Sequence, residues 1–320
     1  MANPDDILSN DLNLIGANPV RATVPVRRLL SKDLAFPSSC IAALLLIAGD
    51  KRDTCLPVVS ETDLPDVARQ IHDRGIKGVK LFVDSYAPSS DASEVGNTDS
   101  LYIRALRILK NEVPELCVIT DTCLCSYTSD GACAITNKDG SVDHDTTFSR
   151  LEALAENQVR AGADIIGPAP MMDGAVGTLR RHLDSIGFQH IPLMPHLSWR
   201  SSLYRVYRNT MQTGDGLQRQ AFQIDPSRTE YFFEMGMQMK REGAAIIQLQ
   251  PGLLSIDVVG ALKKRANVPL ALYSVSGEYA MMRMSAAGES EFQALLHEHA
   301  TVCLRSGADY LITYAWRELT

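Results

Sequence analysis

No stretch of this sequence is long and apolar enough to cross a bilayer as a helix; the longest apolar run, Ile41 to Ala48, is strand-sized. No long basic run is present either, and the formal net charge is -7. That balance argues against nucleic acid as the main partner and predicts neither a nucleic-acid nor a membrane surface. The opening residues, MANPDDILSNDLNLIG, carry early acids and lack the basic and apolar regions of a signal peptide, so a cytoplasmic location is expected. Lysine is scarce as well, with nine in 320 residues, most of them in polar loops or helix-like segments.

What is present is the composition of a globular protein with a core: 45% hydrophobic and 22% charged residues. Residues 1 to 38, with Pro4, Pro19, Pro25 and Pro37, read as an extended arm, and residues 39–320 as one domain. Apolar runs then alternate with amphipathic segments. The expected strands are Ala42–Ile47, Val79–Asp84, Cys117–Thr122, Asp164–Pro168, Ile191–Met194, Ala245–Gln250, Pro269–Val275 and Tyr310–Tyr314. Helices are expected near 62–74, 100–111, 147–160, 176–186, 227–241, 255–265 and 291–305. Eight strands alternating with helices predict an α/β fold, a closed (β/α)8 TIM barrel; the alternative is an open doubly wound sheet. Gly162, Gly243 and Gly307 each stand between a helix and an apolar run, where a left-handed residue closes the helix.

Barrel sites lie at the C-terminal ends of strands, and there the sequence places Asp121-Thr122-Cys123-Leu124-Cys125, with Cys133 eight residues later. Alternation puts Cys123 and Cys125 on one side, and a turn at Gly131 returns Cys133 to them. Three thiolates suit zinc, and a three-ligand site leaves a coordination position for water or substrate. The alternatives are three unrelated cysteines, or a structural site with a fourth ligand elsewhere. Asp121 shares the face of Cys123 and is a candidate acid/base group. Cys40, Cys55, Cys117 and Cys303 read as core, and His297-Glu298-His299 reads as part of a solvated helix.

Several segments together resemble the porphobilinogen synthase (5-aminolevulinate dehydratase) family, in order from about residue 25 to the C-terminus. Asp121 to Ser129 with Gly131 and Cys133 is similar to its zinc loop, and Met171-Met172-Asp173-Gly174 to its Met-Met-Asp-Gly turn. Ser274 to Met281 and Leu311-Ile312-Thr313-Tyr314 are similar to its last two strand ends. The resemblance implies a zinc-bearing barrel that binds a small amino-keto acid. It also implies a homo-oligomer, an octamer or its dimer building block, contacted through the N-terminal arm. By the same resemblance, Tyr273, Ser276 and Tyr314 hold the carboxylate of one substrate, and Arg208 and Arg219 that of a second. Gln223 follows in a matching loop, and Phe82 and Tyr204 line the site. Paired guanidinium groups fit carboxylates bidentately on chemical grounds alone.

The family condenses two 5-aminolevulinate molecules through Schiff bases on two lysines. In this sequence the first of those positions falls on Ser198 or Trp199 and the second on Gln250, neither able to form an imine. Ala169-Pro170 replaces the family's Ser-Asp, and Ala175 an arginine. Lys80 interrupts the strand Val79–Asp84 on the face of Phe82. Pointing inward it would be a desolvated amine, with Asp84 as a partner; pointing outward it would snorkel between helices. His196, after the fifth strand, is a further candidate for substrate contact.

Three functions follow. The first is a zinc enzyme, a lyase of altered chemistry, performing a dehydrative condensation or cyclisation in a specialised biosynthetic pathway without lysine imines. The second is a non-catalytic binding or regulatory relative. The third is an ordinary porphobilinogen synthase using Lys80.

Overall fold

The computed structural model describes residues 18–31, 37–49, 54–84, 87–211, 213 and 222–319. Its strands are β1 (Cys40–Leu46), β2 (Val58–Val59), β3 (Gly78–Val83), β4 (Cys117–Thr120), β5 (His196–Ser198), β6 (Ile247–Gln250), β7 (Leu270–Tyr273) and β8 (Tyr310–Thr313). They pair in parallel in the order β4-β3-β1-β8-β7-β6-β5, with the short β2 on β1. Parallel bridges close the gap between β4 and β5 (Ile119 with Ile165, Thr122 with Pro168, Ile166 with Leu193), and Leu193 also pairs with Ala244 ahead of β6. The result is the (β/α)8 barrel.

Two expected strands, Asp164–Pro168 and Ile191–Met194, are therefore present as isolated bridges. Pro168, Pro170, Pro192 and Pro195 punctuate these staves, and proline has no N–H to give to a ladder. The continuous part of the fifth stave, β5, falls beyond Pro195.

Helices 64–73, 101–112, 144–160, 175–185, 229–241, 256–266 and 289–305 flank the staves, close to their expected places. Three others were not foreseen: Val24–Leu30, Arg205–Thr210 and Ser276–Ser285. The first lies in the segment expected to be irregular. Pro25 sits in its first turn, where the missing N–H costs nothing. Val26 and Leu29 are buried in the main core, and the Leu29 carbonyl accepts a hydrogen bond from Tyr310 at 2.9 Å. The remainder of the expected arm, residues 1–17 and 32–36, lies outside the described residues.

Gly162, Gly243 and Gly307 have φ of +103°, +108° and +117°, the left-handed closure that the sequence predicts. Two of the three are followed by an aspartate that fastens the neighbouring stave. Asp164 Oδ2 accepts from Val118 N at 2.8 Å and from Lys110 Nζ at 2.9 Å. Asp309 Oδ2 accepts from Leu270 N at 2.9 Å and from Lys263. Both clamps lie where staves begin.

Cys40, Cys117 and Cys303 are buried as expected, whereas Cys55 is exposed. His299 is also buried rather than solvated, within 3.8 Å of the Cys303 sulfur, because its turn of the helix faces the core. Among the described residues, no helix is long and apolar enough to cross a membrane.

Candidate functional site

Side chains at the C-terminal ends of the staves converge on one pocket, lined by Phe82, Asp121, Ser198, Gln250, Tyr273 and Tyr314 among others. Cys123, Cys125 and Cys133 form one wall. Their sulfur atoms all lie within 4.8 Å of one another, Cys123 and Cys125 buried and Cys133 half-buried. Thiolates about 2.3 Å from one tetrahedral ion stand about 3.8 Å apart, so a small adjustment suits a zinc ion. Hydrogen bonding with Cys125 and Cys133, together with burial, pushes the Cys123 thiol well above its ordinary value. A dication at that point reverses the preference and draws the protons off.

Asp121 is fixed through its backbone. Its N–H reaches the Tyr102 hydroxyl at 2.8 Å, and its carbonyl accepts from Gln158 at 3.3 Å. Gln158 in turn accepts from Thr122 at 2.7 Å. Neither Tyr102 nor Gln158 carries a sequence signal, since both sit on helices that read as ordinary amphipathic packing. The Asp121 carboxylate lies 3.7 Å from His196 Nε2. Burial, with the Lys80 charge adding to it, pushes His196 well below its ordinary value, so its ring is neutral.

Lys80 points into the barrel. It is fully buried, its Nζ has no hydrogen-bond partner, and Phe82 follows on the same face with its ring centroid 6.0 Å from Nζ. Burial lowers the ammonium to about 8, opposed by the charge of Asp121. Asp84, the partner suggested by alternation, makes no hydrogen bond to Nζ. Lys80 is not among the residues lining the pocket.

Ser198 and Trp199, the two residues on which the first lysine position was expected to fall, face different ways. Trp199 turns away and stacks on Phe232 with ring centroids 3.8 Å apart, while Ser198 faces the pocket. Gln250 Nε2 donates to Ser198 Oγ at 2.8 Å, and Gln250 Oε1 accepts from Gln248 Nε2 at 2.8 Å. Ser198 and Gln250 are direct register partners on β5 and β6, which is why they meet.

Opposite them, Phe82 stacks on Tyr273 with centroids 5.7 Å apart, and the Tyr273 and Tyr314 hydroxyls are hydrogen-bonded. Tyr204 donates to the Trp199 carbonyl at 3.0 Å, and the Arg208 guanidinium lies 5.8 Å from the Tyr204 ring centroid. Arg208 and the half-buried Gln223 line the pocket; Arg219 lies outside the described residues. Ser276 lines it too, but its hydroxyl is engaged, donating to Leu203 O at 3.0 Å and accepting from Tyr207 N at 3.0 Å. It joins helix 276–285 to the 202–210 segment. Tyr207 completes the aromatic wall, its ring 5.5 Å from Phe82. Its position beside Arg208, three residues after Tyr204, was the available signal.

Fold and site together define a (β/α)8-barrel protein with a three-cysteine cluster, an aromatic wall and an arginine at one mouth. The Delta-aminolevulinic acid dehydratase family matches residues 20–320. The delta-aminolevulinic acid dehydratase of Methanothermobacter thermautotrophicus is 34% identical over 306 residues, covering 92% of this chain and 91% of that protein. That of Synechococcus elongatus is 32% identical over 311 residues, covering 92% and 94%. The Toxoplasma gondii enzyme, solved in complex with its product porphobilinogen, superposes with a TM-score of 0.83 at 28% identity, over 99% of this chain and 90% of that one. The chain belongs to the delta-aminolevulinic acid dehydratase family.

Proposed function

We propose that this protein is a zinc-dependent lyase that binds 5-aminolevulinate or a related amino-keto acid. It performs a dehydrative condensation or cyclisation without lysine imines at the two positions the family uses. The observation carrying this reading is the Ser198–Gln250 pair. The two side chains standing at those positions bind each other in the pocket and offer no amine. The family membership, the three clustered thiols and the arginine and tyrosines facing them support a small carboxylate-bearing substrate.

Cys123, Cys125 and Cys133 would hold the zinc, which when bound supplies Lewis acidity toward a ketone or amine at the open coordination position. The remaining work belongs to the protein. Arg208 takes a substrate carboxylate, and the joined hydroxyls of Tyr273 and Tyr314 take another oxygen. Forming a carbon–nitrogen bond and expelling water moves protons from the amine to the departing oxygen. Asp121, 11% exposed and at the pocket edge, is placed to carry them. Phe82, Met171 and Phe222 exclude bulk water from this exchange. The protein acts as a homo-oligomer in the cytoplasm, its first 38 residues contributing to subunit contacts.

A second reading, porphobilinogen synthesis through an imine on Lys80, draws on the inward orientation of that residue and its lowered ammonium value of about 8. Incubating the zinc-loaded protein with 5-aminolevulinate separates the two. Pyrrole colour with an aldehyde reagent is followed alongside all products by mass spectrometry. A new dehydrated product without pyrrole is the expected result; pyrrole that disappears in Lys80→Ala would establish the second reading. If neither 5-aminolevulinate nor its analogues are consumed, the protein is a binding relative and the enzymatic reading fails.

A further inference from the structure

The Ser198–Gln250 pair is part of a longer chain of side chains. Gln248, two residues before Gln250 on β6, is fully buried and does not line the pocket. Its Nε2 donates to Gln250 Oε1 at 2.8 Å, and Gln250 Nε2 donates to Ser198 Oγ at 2.8 Å. The Gln250 amide is therefore held at both ends. Its carbonyl end is occupied from behind the pocket lining, and its NH2 end runs to Ser198, a lining residue. Strand register places all three: Gln248 and Gln250 share one face of β6, and Ser198 stands opposite Gln250 on β5. Gln248 serves here although its own Oε1 is left buried without a partner, a cost that an apolar side chain at 248 would avoid. A primary amide carries two hydrogens on its nitrogen. Gln250 gives one to Ser198, and among the described residues the second meets no protein acceptor. With Gln250 only 9% exposed, that hydrogen is left for whatever occupies the pocket.

We propose that Gln250 reads the ketone of the substrate: its remaining Nε2 hydrogen bonds the keto oxygen, and Gln248 and Ser198 are positioning residues that keep the NH2 end of the amide on the pocket. Charge matching divides the ligand between two ends of the site. Arg208 suits a carboxylate, and a neutral amide donor suits an uncharged carbonyl oxygen. A ligand held in this way keeps its oxygen on binding, whereas a lysine amine at the same place would displace it as water. The site thus selects small keto acids and binds them without a covalent bond. The inference deepens the lyase reading and rests on it for turnover, but ligand binding tests it separately.

The test titrates zinc-loaded protein with 4-oxopentanoate, 4-hydroxypentanoate and pentanoate, which share a carboxylate and a chain length and differ only at the ketone position. By calorimetry the wild type should bind 4-oxopentanoate about 10-fold tighter than pentanoate, the worth of one hydrogen bond. Gln250→Leu should bring the two ligands level and leave pentanoate within about threefold of its wild-type Kd, which also reports an intact pocket. Gln248→Leu frees the Gln250 amide to turn and should reduce the keto preference to about threefold with pentanoate unmoved; a purely structural role for Gln248 would shift both ligands together. One measurement needs no variant. The infrared carbonyl band of bound 4-oxopentanoate, isotope-labelled at the ketone carbon, should persist and lie below its position in an apolar solvent. An unshifted band, or its loss to an imine, would overturn the proposal. So would a wild type without keto preference, or a preference that survives Gln250→Leu because zinc holds the ketone. Tighter binding of 4-hydroxypentanoate than of 4-oxopentanoate would mean that the amide presents its oxygen to the pocket, and would overturn it too. If the keto preference is found and no amino-keto acid is turned over, the lyase reading falls and this one stands.

Discussion

Glu278, in the first turn of helix 276–285, is fully buried and forms no ion pair among the described residues. Its Oε2 accepts from Gly252 N at 3.2 Å and Val275 N at 2.6 Å, and its Oε1 from Leu253 N at 2.5 Å. It thereby ties the loop after β6, which carries Gln250, to the end of β7, which carries Tyr273. Burial outweighs those three donors and raises the carboxyl from 4.5 to about 7. The folded chain therefore holds this proton more tightly than the unfolded chain does. Stability from this group is complete below pH 4.5, declines as pH rises toward 7, and is flat above that. At about 1.4 kcal/mol per pH unit the fall amounts to about 3 kcal/mol. Glu278→Gln removes this slope. It also turns one oxygen into an N–H donor facing a backbone N–H, leaving at least one amide without an acceptor at a cost of about 1–3 kcal/mol. Buried His196 and His299 add stability as pH rises and oppose this fall in both proteins, so urea unfolding between pH 4.5 and 8, at matched protein and zinc concentrations, should show the decline as a difference between wild type and variant. The variant should be weaker at pH 4.5 and lack that part of the decline. An unchanged slope in Glu278→Gln would refute the reasoning.

Three further outcomes are expected. Ser198→Lys should gain a borohydride-trapped adduct with 5-aminolevulinate at position 198 that the wild type lacks; the absence of any adduct would mean that Ser198 does not reach the substrate carbonyl. Arg208→Ala should weaken binding of a carboxylate ligand, measured by calorimetry, by about 10–100-fold, the worth of a hydrogen bond to a charged group, with little effect on an uncharged analogue. Cys123→Ser should lower bound zinc from one per chain to near none by elemental analysis, and chelation of the wild type should leave the barrel's circular dichroism intact, since the thiols sit in a loop outside the core ladder.

Much of the barrel was legible because its helices are amphipathic and its glycine closures recur. The staves around 164–168 and 191–195 were less so: hydrophobic runs announce a strand, but the prolines inside them leave only scattered bridges. Pro25 misled in the opposite direction, because a proline that begins a helix looks in isolation like one that prevents it. Cys123, Cys125 and Cys133 were recognisable as a cluster from spacing alone, and the structure brings their sulfurs together. The direction of Lys80 was not. Every residue of β3 is buried, so alternation couples Lys80 to Phe82 without saying which side is the interior. Ser198 and Trp199 could not be separated until the Trp199–Phe232 stack showed which one leaves the pocket. Tyr102 and Gln158, which anchor the Asp121 backbone, come from helices distant in sequence and had no local mark.

The paired clamps of Asp164 and Asp309 have a consequence for how this chain can change. Each fastens two adjacent staves and a helix lysine at the end of the barrel remote from the pocket. Closure of the ring is therefore secured by parts that never meet a ligand. A change of side chain at the opposite rim, where Gln250 and Ser198 stand, makes no demand on those fastenings. A scaffold arranged in this way separates the inheritance of shape from the inheritance of chemistry, and new reactions can be tried at one end while the other keeps the vessel closed.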